Sequence, residues 1–305
     1  MDDKMKKYVI GIDIGGTNFR MGMVTKDGEL SNFIKMPSST LSTGQVINTL
    51  AERISDYINQ FDAQEDVEAV AIGIPSIVSK DKKILYSTPN LGGLDNINIP
   101  DPLSALLGVP VFIDRDVNFL LQYDIGHLNL NSGKTILGFY VGTGLGNAIY
   151  IEGKFYGGKN GVAGELGHIP MYGLTQRCTC GNRGCSEVIC SGRHLEELVK
   201  EHFPETDISN AFKEHGDHEL ITQYVRDLAI PISTEINILD PDHIVIGGGV
   251  ISMNGFPKAV LVDAIYKSTR KPYPAENLQI VFSEHTPQSG VVGSADYAYK
   301  KLTGK

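Results

Sequence analysis

The 305-residue chain lacks any long apolar run, because no stretch approaches the roughly 18 consecutive apolar residues that a membrane-spanning helix needs. It also lacks the apolar core of a secretory signal peptide after Met1. Basic residues are outnumbered, and a net charge of −9 with no cationic cluster beyond Lys4–Lys7 disfavours a nucleic-acid-binding protein. These absences predict a cytoplasmic protein with neither membrane nor nucleic acid as partner.

Cysteine is scarce as well, with four residues in the chain. They could be ordinary buried thiols or a disulfide set. However, Cys178 and Cys180 are too close in sequence for a comfortable disulfide, and a reducing compartment favours metal over disulfide for such spacing. Cys185 and His168 complete one imidazole and three thiols, which is a standard set of zinc ligands. The sequence therefore predicts a structural zinc site on these four residues.

The remaining pattern predicts an α/β protein of about two domains. Apolar runs and period-2 alternation bounded by glycine turns predict strands. Apolar residues at helical spacing predict a helix over residues 44–61, and Pro231 is expected to kink or divide a second helix, Glu219–Leu239. The predicted strands are Tyr8–Asp13, Phe19–Val24, Leu30–Lys35, Val67–Ile74, Asn147–Ile151, His243–Ile246 and Leu278–Phe282.

One segment of the chain repeats another. Residues 135–144 can be laid over residues 9–17 with Gly11 on Gly138 and Gly15 on Gly142, and a second strand follows in both places. A repeated strand, glycine loop and strand indicates a duplicated unit. We therefore expect two similar α/β lobes with the substrate between them. The expected domains are residues 1–117, joined by a C-terminal helix at 291–305, and residues 118–290, which carry the zinc loop.

Three glycine loops follow predicted strands and suit the binding of phosphate. They are Asp13–Thr17, with Gly15, Gly16 and Thr17 in the turn; Gly142–Gly144, with Thr143 between the glycines; and Gly247–Gly248. Backbone N–H groups in such turns can cradle phosphate, and a carboxylate beside them can hold Mg²⁺. Each loop alone could be an ordinary turn, and none has the Gly-Lys-Ser/Thr ending of a P-loop. Together they favour a nucleotide.

A strand that begins at Val111 ends in the polar run Asp114-Arg115-Asp116-Val117-Asn118. Aspartates at this place could simply cap the helix that follows. An aspartate at a strand end can instead accept the proton of an attacking hydroxyl, as phosphoryl transfer requires. We therefore consider Asp116 a candidate general base.

These motifs together, from the Asp13–Thr17 loop through Arg115–Asn118 and Glu165–His168 to Cys178–Glu187, resemble the ROK family of repressors and sugar kinases. The resemblance covers essentially the whole chain in order, and its His/Cys signature is the most specific element. It implies two ribonuclease-H-like lobes of the actin/hexokinase ATPase type, with sugar and ATP in the cleft between the lobes.

The resemblance also implies roles for particular residues. Asp116 matches the catalytic base, which takes the proton of the sugar 6-hydroxyl. Glu165, His168 and Glu187 match ligands of the sugar hydroxyls, with His168 binding zinc through its other ring nitrogen. Asp13 and Thr17 match a phosphate and Mg²⁺ loop. The other matches are Gly142, Thr143 and Gly144 for a second phosphate loop and Gly247 and Gly248 for the adenosine side.

Two departures from the family pattern fall where the sugar is expected. Arg115 stands where the family usually has Asn, and Ser76 replaces the usual Gly in Gly73-Ile74-Pro75-Ser76. Together with Ser79-Lys80-Asp81 and Ser87-Thr88-Pro89-Asn90-Leu91, they resemble the D-allose kinase branch. Ser76, Asn90 and Arg115 are therefore expected to contact sugar, with Arg115 donating to the axial 3-hydroxyl that distinguishes allose from glucose.

The leading expectation is thus an ATP-dependent kinase that forms D-allose 6-phosphate, with Mg²⁺ accompanying the nucleotide. A glucokinase, mannokinase or fructokinase of the same family is the alternative. A sugar-responsive transcriptional regulator is a remote alternative, because the first predicted strand starts by Tyr8 and leaves no room for a helix-turn-helix domain. The resemblance also implies a homo-oligomer, with a dimer favoured.

Overall fold

A computed structural model describes residues 6–41, 45–87 and 95–304. The chain divides into two compact units. The first comprises residues 1–130, 157–163 and 286–305, and the second comprises residues 131–156 and 164–285. No helix within the described part of the chain combines the length and the hydropathy needed to cross a membrane.

The described residues form thirteen strands and nine α-helices. The strands are β1 (Tyr8–Ile14), β2 (Asn18–Val24), β3 (Leu30–Pro37), β4 (Val67–Ile74), β5 (Ile77–Val78), β6 (Ile84–Ser87), β7 (Ile97–Asn98), β8 (Val111–Arg115), β9 (Ile136–Val141), β10 (Leu145–Ile151), β11 (Lys154–Phe155), β12 (His243–Gly247) and β13 (Ile280–Phe282). The helices are α1 (Val46–Gln60), α2 (Pro100–Leu107), α3 (Asp116–His127), α4 (Glu187–Cys190), α5 (Gly192–His202), α6 (Ala211–His215), α7 (Glu219–Leu239), α8 (Lys258–Ser268) and α9 (Ser289–Leu302).

The first unit is built on a five-stranded sheet in the order β3-β2-β1-β4-β8. Side chains of a strand alternate between the two faces of its sheet, and here the alternation sorts them by size. Large residues such as Ile10 and Ile72 lie in the core that includes α1 residues, whereas the small Ala69 and Ala71 lie in the core with α9. Small side chains on that face let α9 pack close to the strands.

The second unit repeats this topology with the sheet order β11-β10-β9-β12-β13. In both sheets the first three strands are antiparallel neighbours and the last two pair in parallel. Gly11 and Gly138 each lie three residues before the end of the central strand of their sheet. The duplication expected from the glycine pattern is therefore confirmed at the level of strand order and direction.

The boundary between the units differs from the expected one at residue 117. Helix α3 belongs to the first unit because it packs on α9 and β4. The approach to α9 is so close that a Cβ at Gly293 would collide with the carbonyl oxygen of Phe119. Residues 157–163 also belong to the first unit, although the chain on either side of them lies in the second.

Helix α7 runs without a break from Glu219 to Leu239, so of the two expected effects of Pro231, a kink or a division, the division does not occur. Proline removes one backbone donor and crowds the preceding turn of a helix. Here Pro231 is itself buried, and so are Leu228, Ile232 and Ile236 around it. Burial of these apolar side chains outweighs the local cost of the proline, because each contributes about 1.5–3 kcal/mol.

Candidate functional site

The register of the first sheet brings the two candidate aspartates of this unit to one edge. Asp13 pairs with Gly73 across β1 and β4, and Gly73 pairs with Asp114 across β4 and β8. Since these three strands are parallel, their carboxyl ends meet at the same edge of the sheet. Asp116, the first residue of α3, follows β8 directly at this edge. The sequence predicted both strand ends, and the register explains why they are close.

Asp13 lies in an ion pair that sequence reasoning missed. Arg20 Nη1 donates to Asp13 Oδ2 at 2.7 Å, and both side chains are largely buried. The two residues are cross-strand partners in the β1–β2 hairpin, so a register counted outward from the glycine turn would have paired them. The carboxylate that was expected beside phosphate and Mg²⁺ therefore already has a cationic partner.

The predicted phosphate loop at Gly15–Thr17 is the turn of this hairpin. Gly15 N donates to Asn18 O at 2.8 Å, while Gly16 and Thr17 are exposed. The buried Ser38 fixes the turn from behind, because its hydroxyl donates to Gly15 O at 2.6 Å and its backbone N to Thr17 O at 3.0 Å. The turn is thus anchored on one side and open to solvent on the other.

Asp116 has the protonation behaviour of a candidate base. Burial of its carboxyl, followed by the negative charge of Asp13, raises the pKa of Asp116 from 3.8 to about 6. The Arg115 charge and the backbone N–H of Val117, which donates to Oδ1 at 2.9 Å, oppose that rise. A carboxylate with a pKa closer to neutrality is a better proton acceptor than an ordinary one.

The residues expected to contact sugar from this unit have internal partners. Arg115 is 8% exposed, and its Nη1 donates to Ala163 O at 2.8 Å, within residues 157–163. Ser76 donates its hydroxyl to Ser87 O at 2.6 Å, which ties the end of β4 to β6. Asn90 lies outside the described residues. Sequence reasoning did not anticipate that Arg115 would hold a backbone segment.

A buried carboxylate two positions before Asp116 also went unnoticed. Asp114 has no solvent exposure, and its Oδ1 accepts hydrogen bonds from Lys82 Nζ, Asn118 Nδ2 and Arg115 N at 2.7, 2.8 and 2.7 Å. Its Oδ2 is buried and has no hydrogen-bond partner in the part of the chain that the structure describes. A charged group placed here is costly unless it is paired, and the ion pair with Lys82 provides that partner.

In the second unit, the structure brings the four predicted metal ligands together. The ligand atoms of His168, Cys178, Cys180 and Cys185 all lie within 4.8 Å of one another. The sulfurs of Cys180 and Cys185 are 3.7 Å apart. A tetrahedral zinc site with Zn–S bonds of about 2.3 Å would separate its sulfurs by about 3.8 Å. The donor set and its spacing therefore fit zinc, and the fourth cysteine, Cys190, lies buried outside the cluster.

His168 uses its two ring nitrogens in different directions. Nδ1 lies 3.5 Å from Cys178 Sγ, whereas Nε2 lies 3.7 Å from Glu165 Oε2. A metal-bound histidine whose second nitrogen faces a carboxylate is a common outer-shell arrangement that orients both groups. The metal cluster and the candidate sugar ligand Glu165 are thus joined through one imidazole.

Glu187 connects the same region to the second glycine loop. Its Oε2 accepts a hydrogen bond from Leu145 N at 3.0 Å, and a Cβ at Gly144 would collide with that oxygen. Gly192 N and Arg193 N in turn donate to the carbonyls of Gly142 and Thr143, which tie the loop to the start of α5. The predicted sugar ligand and the predicted phosphate loop are therefore adjacent.

The third glycine loop lies at the same edge of the second sheet. Gly247 ends β12 and pairs with Tyr140 of β9, and Gly248 packs against the backbone of Val141. Val250 N donates to Val141 O at 3.0 Å. The loops at 142–144 and 247–248 therefore meet because the parallel strands that precede them are neighbours. Two loops that bind one nucleotide need to be close together in this way.

Comparison with known proteins matches the ROK family profile to residues 9–301. A glucokinase from Thermotoga maritima is 26% identical, covering 98% of this chain and 99% of the relative. An N-acetyl-D-glucosamine kinase from Vibrio cholerae is 28% identical, and the match covers 93% of this chain and 97% of the relative.

Among solved structures, a ROK family glucokinase from Streptomyces griseus in complex with glucose and AMPPNP has a TM-score of 0.76 and 25% identity. The match covers 96% of this chain and 99% of that one. The fold is therefore of the actin/hexokinase ATPase type, as the duplicated sheets had indicated.

Proposed function

The chain belongs to the ROK family, and from that premise we propose that it is an ATP-dependent carbohydrate kinase with Asp116 as the general base. The observation that carries the proposal is the position of Asp116, which follows β8 directly as the first residue of α3, at the sheet edge where Asp13 also lies. The raised pKa of its carboxyl, about 6, supports this role. Phosphoryl transfer from ATP requires positioning, charge stabilisation and a group that accepts the proton of the attacking hydroxyl. Asp116 is suited to this last task near neutral pH.

Glu165, His168 and Glu187 would hold the sugar hydroxyls. A ring of hydroxyl groups needs acceptors, and carboxylates are strong ones. His168 is fixed between Cys178 and Glu165, and Glu187 is held by Leu145 N. Zinc bound by the imidazole and three thiols would lock the loop that carries these groups, with no direct part in the chemistry.

The glycine loops would hold the nucleotide. Loops at Gly15–Thr17, Gly142–Gly144 and Gly247–Gly248 present backbone with no bulky side chain, which lets phosphate and base approach closely. Mg²⁺ bound with ATP would neutralise phosphate charge. Asp13 is proposed to act near that ion. Its ion pair with Arg20 at 2.7 Å orients the carboxylate.

Within the hexoses, we propose D-allose as the substrate, with D-glucose as the alternative. The support for allose is the set of departures at Ser76 and Arg115 together with the resemblance of the surrounding segments. The guanidinium of Arg115 has five N–H donors, one of which donates to Ala163 O. The named relatives, which act on glucose and N-acetyl-D-glucosamine by their names, define the competing sugars.

A side-by-side assay of D-allose, D-glucose, D-mannose, D-fructose and N-acetyl-D-glucosamine with MgATP tests the substrate. We expect the highest kcat/KM with D-allose and phosphate on its 6-oxygen, as determined by ³¹P and ¹³C NMR. Preference for any other sugar refutes allose but leaves the kinase assignment intact. Absence of transfer to every sugar refutes the assignment itself.

Substitution of the proposed base tests the mechanism. Asp116→Asn is expected to lower kcat by about 10²–10⁴-fold, the usual contribution of a general base, while calorimetry still detects binding of the sugar. Asp101→Asn is the matched control, because Asp101 also lies in the first turn of a helix but is exposed. A rate for Asp116→Asn close to that of the control contradicts the assigned role.

A further inference from the structure

The proposed phosphoryl transfer does not involve the Lys82–Asp114 ion pair, although Asp114 lies two residues before Asp116. We propose that Lys82 is a positioning residue for Asp116, acting through the buried carboxylate of Asp114. The proposal rests on the proposed function of Asp116 as the base. It extends that function to a lysine of the β5–β6 turn, in a different part of the first unit.

Lys82 extends from a tightly held turn. Its backbone N donates to Ser79 O at 2.9 Å, and the backbone N of Lys83 and of Ile84 donate to the hydroxyl oxygen of the buried Ser79. Lys82 itself has a φ of +59°, in the left-handed region. A turn fixed by this many hydrogen bonds presents the ammonium group at a defined place rather than on a flexible loop.

The partner of that ammonium group is fully buried. The Nζ–Oδ1 distance is 2.7 Å, and the Asp114 side chain has no solvent exposure while that of Lys82 is 24% exposed. Because Asp114 Oδ2 has no hydrogen-bond partner among the described residues, the negative charge is stabilised by the three donors at Oδ1. Removing the cation would leave an ionised carboxylate in a site where it is strongly disfavoured.

Asp114 in turn holds both sides of Asp116. Its Oδ1 accepts from Arg115 N, at the end of β8, and from Asn118 Nδ2, in the first turn of α3. Asp116 and Val117 are the residues between these two anchors in sequence. If Asp114 lost its counter-charge, its carboxylate would move toward other donors, and that change would weaken its hold on Asn118. The alignment of the Asp116 carboxylate would then loosen.

The test compares Lys82→Met with Lys83→Met in the full-length enzyme. Lys83 is the matched control, since it is the next residue and forms an exposed ion pair with Asp101 at 3.0 Å, of a kind that contributes little. We expect Lys82→Met to lower kcat by at least about tenfold, because small displacements of a reacting group are costly in rate. The KM for the sugar should stay within about twofold, since no substrate contact is removed.

Rescue by Lys82→Arg separates positioning from general damage, because arginine keeps the charge and can still reach a carboxylate. We expect it to restore kcat to within about threefold of the wild type, short of full rescue because the two cations are not interchangeable. Asp114→Asn supplies a second route should Lys82→Met fail to fold: it removes the charge that needs Lys82 but keeps an acceptor for Asn118. Lys82→Met should then cost little further activity when added to Asp114→Asn.

Hydrogen exchange gives a readout that does not depend on catalysis. In Lys82→Met the amide protons of residues 117–119 should exchange at least about tenfold faster than in the wild type, whereas those of α5 should be unchanged. In Lys83→Met the exchange rates of both segments should equal those of the wild type. A folded Lys82→Met with wild-type kcat, or with raised KM and retained kcat, overturns the proposal. If the wild type phosphorylates no sugar, the kinase assignment fails instead, and the exchange rates alone decide whether Lys82 fixes the start of α3.

Discussion

Glu235 is expected to reduce the stability of this protein at neutral pH, and replacing it with a neutral residue should reveal by how much. It lies four residues before the end of α7, is 6% exposed, and accepts a hydrogen bond from Asn147 Nδ2 at 2.7 Å. Burial raises the pKa of Glu235 from 4.5 to about 7, and the hydrogen bond from Asn147 only partly opposes that rise. Among the ion pairs of the described residues of α7, such as Arg226–Glu219, none involves Glu235.

The sign and size of the effect follow from the two pKa values. A carboxyl with a raised pKa in the folded state holds its proton longer there than in the unfolded chain, so the free energy of unfolding falls as pH rises between the two values. Each pKa unit corresponds to about 1.4 kcal/mol, so moving from 4.5 to about 7 costs about 3 kcal/mol above neutrality. Below pH 4.5 both states are protonated and the cost disappears.

Glu235→Gln removes the ionisable proton while keeping the shape and an acceptor for Asn147. The new amide also carries a donor, which is the group that the buried Asn147 Oδ1 lacks within the described ranges. We therefore expect the variant to exceed the wild type in free energy of unfolding by about 3 kcal/mol at pH 8 and by about 1 kcal/mol or less at pH 5. Urea unfolding monitored by circular dichroism at both pH values measures the difference.

Glu219→Gln is the control for this experiment, since Glu219 begins the same helix but its side chain is 75% exposed. Its effect should stay within about 0.5 kcal/mol at either pH. A gap for Glu235→Gln that is equal at pH 5 and pH 8 would show that the gain comes from packing rather than ionisation. A variant less stable than the wild type at pH 8 would refute the reasoning entirely.

Two further predictions concern the site. Because Asp116 must be ionised to accept a proton and its pKa is about 6, kcat/KM should be flat above neutrality and fall tenfold per pH unit below about 6; a limb near pH 4 contradicts this. Cys185→Ser should lose the bound zinc, measured by plasma mass spectrometry, and most kcat/KM, because Glu165 loses its anchored neighbour His168. Cys190→Ser, a buried thiol outside the cluster, should retain zinc; equal zinc content in both variants contradicts the ligand assignment.

The strands and the duplication could be predicted from sequence because they depend on local patterns. Apolar runs that end in glycine mark β1 and β9 alike, and the shared glycine spacing anticipated two sheets of one topology. Helix α1 was expected over residues 44–61 and occupies Val46–Gln60. The four residues of the candidate zinc site could be proposed for the same reason, since three of them lie within eight residues of each other.

What could not be predicted depends on pairings between distant segments. Lys82 and Asp114 are 32 positions apart, and Asn147 and Glu235 are 88 apart. Nothing local marks an aspartate or a glutamate as buried, because both residue types are usually exposed. Arg20 is the exception among the missed residues, since the hairpin register alone would have placed it opposite Asp13.

At Arg115 the sequence pattern suggested a contact with sugar but not the hydrogen bond to the backbone of Ala163. The sequence placed an arginine beside the catalytic candidate, where hydrogen bonding to the sugar was the natural expectation. The structure shows its Nη1 bound to Ala163 O, on the segment that leads directly into Gly164 and Glu165. A shorter side chain at position 115 would therefore release this segment as well as remove a possible sugar contact. Changes of sugar preference at this position are expected to act partly through the backbone before Glu165, so exchanging Arg115 alone should not convert one hexose preference cleanly into another.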